Sequence, residues 1–301
     1  GSGSTYIYMA IRRPHKPPEV ATEVFAMDTR NSTSPVAAPT WKAPFPVDFA
    51  MHKWAGPENG LEWGIGSRLT PNRVLVSNSN AAESGAGQFS WDWQNGFYEQ
   101  TGVYSQEVGW MFKRAPGFMD VVAFSGTGSN LAVNHNLAAI PELILHKNRT
   151  SAVGWIVSTT PLYSSGKVLN LSNNSGPYGG GTNFMTATPT ASQISLSSSS
   201  NVVNASGNDY VQYLFATLPG ISKVGSYTGT GNAINIPCGF TNGARFIMIK
   251  RIDEDVTGDW YVWDTLRGIV SGNDPYLLLN SSNGQISNTD YIDPLSSGFT
   301  V

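Results

Sequence analysis

The sequence is short of cysteine, of charge, of basic clusters and of long apolar runs, and each shortage removes a class of protein. Cys238 is the single cysteine, so an internal disulfide framework is excluded. Its strand-like setting, "INIPCGF", makes it a small buried hydrophobe rather than a nucleophile. Charged residues make up 13% of the 301, about half of the usual ~25%. Net charge is −3, and no basic group exceeds Arg12-Arg13 or Lys113-Arg114. Nucleic-acid binding therefore has no electrostatic footing. No apolar run approaches the ~18 residues of a membrane helix, so no membrane insertion is expected.

What fills the gap is Gly (32), Pro (18) and long Ser/Asn/Thr stretches, alongside 9 Trp, 12 Tyr and 13 Phe. The aromatics supply enough apolar surface for real cores, which separates this chain from disordered Ser-rich sequences. Almost nothing reads as a helix. Short alternating or aromatic-rich runs ("PELILHK", "KVLNLS", "YVQYLFA", "RFIMIKR", "DWYVWD", "PYLLLN") lie between Gly, Asn, Asp and Pro, the pattern of strands and tight turns. The expected fold is all-β.

Self-similarity then organises the chain. Residues 120–148 align with 222–251 at a spacing of 103: Phe124 falls on Tyr227, Gly126 on Gly229, Leu137 on Phe240, Ile144 on Ile247 and Lys147 on Lys250. Trp155 meets Trp260 shortly after. A more diverged copy lies upstream, where "DFAMHK" (48–53) matches "RFIMIK" and Trp63 stands to Lys53 as Trp260 does to Lys250. Closing runs also align: "EVGWMFKRAPG" (107–117), "YVQYLFATLPG" (210–220) and, at the front of the chain, "TYIYMAIRRP" (5–14), with Ile11-Arg12-Arg13 over Phe112-Lys113-Arg114. The expected division is a closing strand at 1–13, of a preceding or of the last repeat, then repeats at 14–116, 117–219 and 220–301. The last lacks its own closing strand. Three tandem β-sandwich, jelly-roll-like repeats of about 100 residues fit the turn spacing, with the front strand expected to complete the third repeat or to pack on the first.

Within each repeat the clearest phrase is Lys, a polar loop, Trp, then a strand. In "GDWYVWD" alternation puts Trp260 and Val262 on one face, Tyr261 and Trp263 on the other. Trp63, Trp155 and Trp260 read as core anchors. Asp264 and Arg267 read as a clamp within one turn.

The search for chemistry returns little. His15, His52, His135 and His146 form no metal-ligand spacing, and His52 and His146 read as ordinary strand residues. Asp253, Glu254 and Asp255 read as a solvated acidic loop, with weak Ca²⁺ binding as the sharper reading. No catalytic residue, metal ligand or cofactor is expected. One stretch stands out, "FSWDWQNGFYEQ" (89–100), in which Trp91, Asp92, Trp93 and Tyr98 place flat rings beside a carboxylate. Sugars are gripped that way, by ring stacking and hydroxyl hydrogen bonds. A plain core pair of tryptophans is the competing reading.

The strings "VGSYTGTGNAINIPCGFTNGARFIMIKR", "GDWYVWDTLRGIVSGNDPYLLLNS", "YIYMAIRRP" and "FKRAPGFMDVVAFSGTG" resemble the repeated β-rich domains of tail and other virion proteins of marine and environmental tailed phages. That resemblance implies a non-enzymatic component located in the virion, in its tail, and extracellular once assembled. It would be a tail fibre, spike or tail-tip segment, with other virion proteins and a host-surface glycan or protein as partners. It also implies a homo-oligomer, a trimer by analogy with tail fibres. The alternatives are a carbohydrate-binding module or glycan-active enzyme, and a purely structural spacer.

Overall fold

The computed structural model describes residues 9, 16–30, 38–56, 60–85, 89–99, 106–179, 183–198 and 200–301. The fold is all-β, with strands in antiparallel sheets and a single four-residue α-helix, α1 (Thr160–Tyr163), among the described residues.

The strands fall into three groups along the chain. The first holds β1 (Phe25–Arg30), β2 (Trp41–Lys42), β3 (Phe49–Trp54), β4 (Gly64–Ser67), β5 (Phe89–Ser90), β6 (Gly96–Glu99) and β7 (Glu107–Phe112). The second holds β8 (Met119–Ser125), β9 (Leu131–Asn134), β10 (Leu143–Asn148), β11 (Ile156–Thr159), β12 (Lys167–Val168), β13 (Tyr178–Gly179), β14 (Gln193–Leu196) and β15 (Asp209–Phe215). The third holds β16 (Asn235–Pro237), β17 (Phe246–Lys250), β18 (Trp260–Asp264), β19 (Leu277–Leu278), β20 (Asp293–Leu295) and β21 (Gly298–Thr300).

Among the described residues each group has a main sheet and smaller outer sheets, one in the first and third groups and two in the second. The first main sheet runs β1-β7-β3-β4 and the second β8-β15-β10-β11, the same order of first, closing, Lys-bearing and Trp-following strands. The third main sheet runs β17-β18-β19. Period-2 alternation sends successive side chains to opposite faces, so every main sheet contributes to two cores. One face of all three enters a single central core: Phe49, Trp63 and Trp110 from the first group, Leu145, Trp155 and Tyr213 from the second, Trp260, Val262 and Leu277 from the third. The other faces build three separate outer cores under the small sheets. As the alternation requires, Trp260 and Val262 are central while Trp263 and Tyr261 are outer.

The three recurring Lys-loop-Trp phrases are where the groups lock together. The Trp63 indole N–H donates to the Leu278 carbonyl at 2.9 Å, that of Trp155 to Val76 at 2.9 Å and that of Trp260 to Asn170 at 3.0 Å. The first group therefore bonds to the third, the third to the second, and the second to the first. Two of the lysines, Lys147 and Lys250, brace the same junctions. Lys147 Nζ donates to Val153 O at 2.6 Å within its group and to Asn80 O at 3.2 Å in the first. Lys250 Nζ donates to Gly258 O and, at 3.1 Å, to Asn174 O of the second group. Lys53 Nζ donates to Leu61 O. Burial of these ammonium groups pushes the pKa of Lys53 and of Lys147 down to about 8, with carbonyl oxygens in place of water.

The segment 5–13, apart from Met9, lies outside the described residues.

Candidate functional site

The one place where the described residues gather a histidine with two carboxylates is at the end of the first outer core. Strand pairing brings it about. Arg30 on β1 stands opposite Glu107 on β7, and His52 on β3 stands opposite Gly109 of β7 and Gly64 of β4. The outer strand β6 lowers Glu99 onto the same spot, with its backbone N–H held by Thr40 Oγ1 at 2.7 Å. Gly64 makes room for the imidazole, since a β-carbon there would come within 1.9 Å of His52 Nε2.

The resulting cluster is buried and held by ion pairs, while Arg30 Nε and Nη2, His52 Nδ1 and Glu107 Oε2 lack a hydrogen-bond partner. Arg30 Nη1 lies 3.0 Å from Glu99 Oε2 and 3.3 Å from Glu107 Oε2. His52 Nε2 lies 3.5 Å from Glu99 Oε1, and Nδ1 lies 3.8 Å from Glu107 Oε1. The Trp41 indole N–H donates to Glu99 Oε2 at 2.9 Å, and its ring carries the Arg30 guanidinium at 5.5 Å from its centroid. Burial works against the His52 imidazolium, yet Glu99 and Glu107 outweigh it and hold its pKa above the usual histidine value. Burial also raises the Glu99 carboxyl, against the pull of His52.

The ligand atoms of His52, Glu99 and Glu107 lie within 4.8 Å of one another, a spacing a metal ion could bridge. Arg30, however, already reaches both carboxylates with one nitrogen, and a divalent ion would have to displace it. The arrangement is best described as a buried charge cluster in which a guanidinium bridges two carboxylates beside an imidazole. Beside it, Glu107 borders a cleft of about 330 Å³ between the first and third groups, with Thr29, Gln106, Arg267, Gln285 and Ser287 around it.

A pH dependence follows. A histidine held above its unfolded pKa of about 6.5 stabilises the fold fully below that value and less as pH rises through the raised one. Glu99, also raised, acts in the same direction. His52→Gln is therefore expected to cost most stability near pH 6 and least near pH 9. Thermal melts of both proteins across that range check this, and a constant difference would sink it.

Nothing in the sequence pointed to this cluster, because Arg30 and Glu99 are 69 residues apart and Trp41 and Glu99 are 58 apart. The residues singled out from sequence are not gathered at it. Trp91 is 2% exposed and stacks on Phe97 at 5.1 Å, inside the first outer core. It presents no face to a ligand, which corrects its place among the sugar-binding candidates in favour of the core reading. Asp92 is exposed, and Trp93 and Tyr98 are half-buried at the rim. Asp253 pairs with Arg251 at 2.6 Å and Glu254 with Lys167 at 2.6 Å, a solvated loop tied to cations. Asp264 and Arg267 do form the clamp: Nε donates to Asp264 Oδ2 at 2.7 Å and Nη2 to Val262 O at 2.8 Å. His146 is buried with Nε2 facing the Val202 carbonyl at 3.0 Å and Nδ1 facing Gln212 at 3.2 Å, and burial lowers its pKa to about 4.

No curated protein and no solved structure matches the chain. Residues 66–301 match the family described as "Domain of unknown function (DUF7483)". That span takes in Glu99 and Glu107 but begins after Arg30, Trp41 and His52. With most of its length inside the match, the chain belongs to the DUF7483 family.

Proposed function

We propose that this protein is a non-enzymatic structural component of a phage virion, a tail-fibre, spike or tail-tip segment. In this reading it is built of three like β-sandwich units and meets a host-surface glycan or protein. The observation that supports it is the cyclic set of indole-to-carbonyl bonds around one central core. Such a body resists deformation from any side, as a part that transmits force or displays loops must. The buried charges serve the same end, since Arg30, Glu99, Glu107 and His52 are spent on one another. Glu99 and Glu107 are close enough to suggest the ~5 Å carboxyl pair of a retaining glycosidase. Both are almost fully buried and paired to Arg30, an arrangement that favours structure over hydrolysis.

The rim of the first outer core, with Asp92 exposed and Trp93 and Tyr98 half-buried, is where a glycan contact would sit. The test uses gold-labelled antibody against the chain on tailed particles, and fluorescent protein on bacterial cells and envelope glycans. The expected result is tail labelling and cell binding that weakens in Trp93→Ala. Absence of both labelling and binding would overturn the virion reading, and equal binding by Trp93→Ala would remove that rim.

A further inference from the structure

Among the described residues, the third main sheet lacks counterparts of both the closing strand and the first strand of the other two. In the first sheet β3 is flanked by β7 and β4, and in the second β10 is flanked by β15 and β11. The corresponding strand β17 pairs only with β18, and no described residue pairs with its other edge. Its burial shows the same shortage. Met51 and Leu145 are buried, as are Lys53 and Lys147, whereas their counterparts Met248 and Lys250 are half-exposed. The stretch 223–230, counterpart of most of β8, forms no strand and is largely exposed, as expected of a strand whose neighbour is not in place.

We infer that residues 6–11 of the same chain occupy this edge as an antiparallel fourth strand, between β17 and the stretch 223–230. The inference rests on the three-unit reading of the chain and not on any role in a virion. Three observations select this occupant. First, the segment aligns with β7 and β15, the strands that fill the slot in the other two sheets. Second, those strands share one register: Phe49 faces Phe112 and Lys53 faces Val108, as Leu143 faces Phe215 and Lys147 faces Val211. Carried over, Ile11 faces Phe246, Met9 faces Met248 and Ile7 faces Lys250. This sends Ile7, Met9 and Ile11 to the central core, in the places held by Val108, Trp110 and Phe112, all of which are members of it. Met9 stands 84% exposed, the most exposed large apolar side chain among the described residues, and docking would remove that exposure.

Third, the chain arrives at the right place. Strand β1 begins at Phe25, whose ring lies 5.8 Å from that of Phe246 at the start of β17. Arg245 lies 5.8 Å from the same Phe25 ring. In the other sheets the closing strand ends beside the start of its own group's first strand: Phe215 lies opposite Met119 of β8, and Phe112 opposite Phe25 of β1. The stretch from Ile11 to Phe25 extends to roughly 45 Å, ample to cross from one sheet to the next. An open edge with apolar alternation would otherwise recruit other chains.

The experiment places cysteines at the predicted facing pair, Met9→Cys with Met248→Cys, in a Cys238→Ser background. Mild oxidation of the full chain is expected to give a monomeric product whose peptide map joins positions 9 and 248. The pair Ala10→Cys with Met248→Cys, one residue out of register, should cross-link at least ~10-fold more slowly because its side chains point to opposite faces. Cross-linked dimers would assign the edge to a second copy and overturn the inference, as would equal or absent cross-linking for both pairs. Should the cysteine variants fold poorly, hydrogen exchange of the unmodified chain decides. Amides of β17 should exchange about 100-fold more slowly than in Ile7→Asp, and equal exchange would place the segment elsewhere.

Discussion

Trp155→Ala is expected to destabilise the whole chain by about 3–5 kcal/mol, the range for removing a buried large aromatic. The ring is fully buried in the central core, lies 6.4 Å from Tyr213, and donates its N–H to the Val76 carbonyl of the first group. Truncation thus opens a cavity and leaves that carbonyl without its donor, a further ~1–3 kcal/mol if water cannot reach it. Trp155→Phe keeps most of the packing and isolates the smaller hydrogen-bond contribution. Urea unfolding followed by fluorescence and far-UV circular dichroism is the measurement. Because the central core draws on all three groups, one transition is expected, shifted to lower urea with an unchanged slope. Two separated transitions, with only the second group weakened, would mean that the groups are independent domains and the shared core contributes little.

Arg30→Met is the second large effect. Its guanidinium is the cation between Glu99 and Glu107, and removing it leaves two carboxylates facing each other in a buried site with only His52 to answer them. Breaking a buried pair from one side typically costs about 3–5 kcal/mol. Adding Glu99→Gln and Glu107→Gln should recover most of the loss, since the uncompensated charge, and not the missing side chain, is the source of the penalty. The loss should also shrink as pH falls, since the raised Glu99 carboxyl takes up a proton before an ordinary glutamate does. An Arg30→Met protein with unaltered melting at pH 8 would show that the cluster is hydrated and its charges screened.

The two predictions draw on parts of the molecule that differed in how visible they were from sequence. The lock at Trp63, Trp155 and Trp260 was legible because it recurs: the same Lys-loop-Trp phrase stands three times, and alternation in "GDWYVWD" assigns Trp260 and Trp263 to opposite faces, where the structure has them. The strands "PELILHK", "YVQYLFA", "RFIMIKR" and "DWYVWD" appear as β10, β15, β17 and β18. What repetition did not convey is the destination of each indole N–H, since a carbonyl acceptor carries no side-chain signal. The charge cluster was invisible for a related reason. His52 sits where the second repeat carries His146 and the third Ile249, so position alone made it look like filler. Its partners come from β1, β6 and β7, and only the combined strand register and the descent of β6 unite them. The aromatic stretch at 89–100 was ambiguous in sequence because a core pair and a sugar platform use the same rings, and the depth of Trp91 decided its own case.

The cyclic indole bonds carry a consequence for how such a chain can change its copy number over generations. Each sheet offers one N–H to its neighbour and receives one on a carbonyl, and the three exchanges close on themselves. Deleting one group would leave a donor and an acceptor facing each other across a gap that two sheets cannot span around a common core. Inserting a fourth would force every junction to a new angle and dilute the apolar centre they share. Neither step has a half-way form that keeps all indoles paired, so a chain with two or four such groups is expected to lose the closed set of bonds. The first group is joined to the third through its own Trp63 and to the second through the Trp155 indole that donates to Val76.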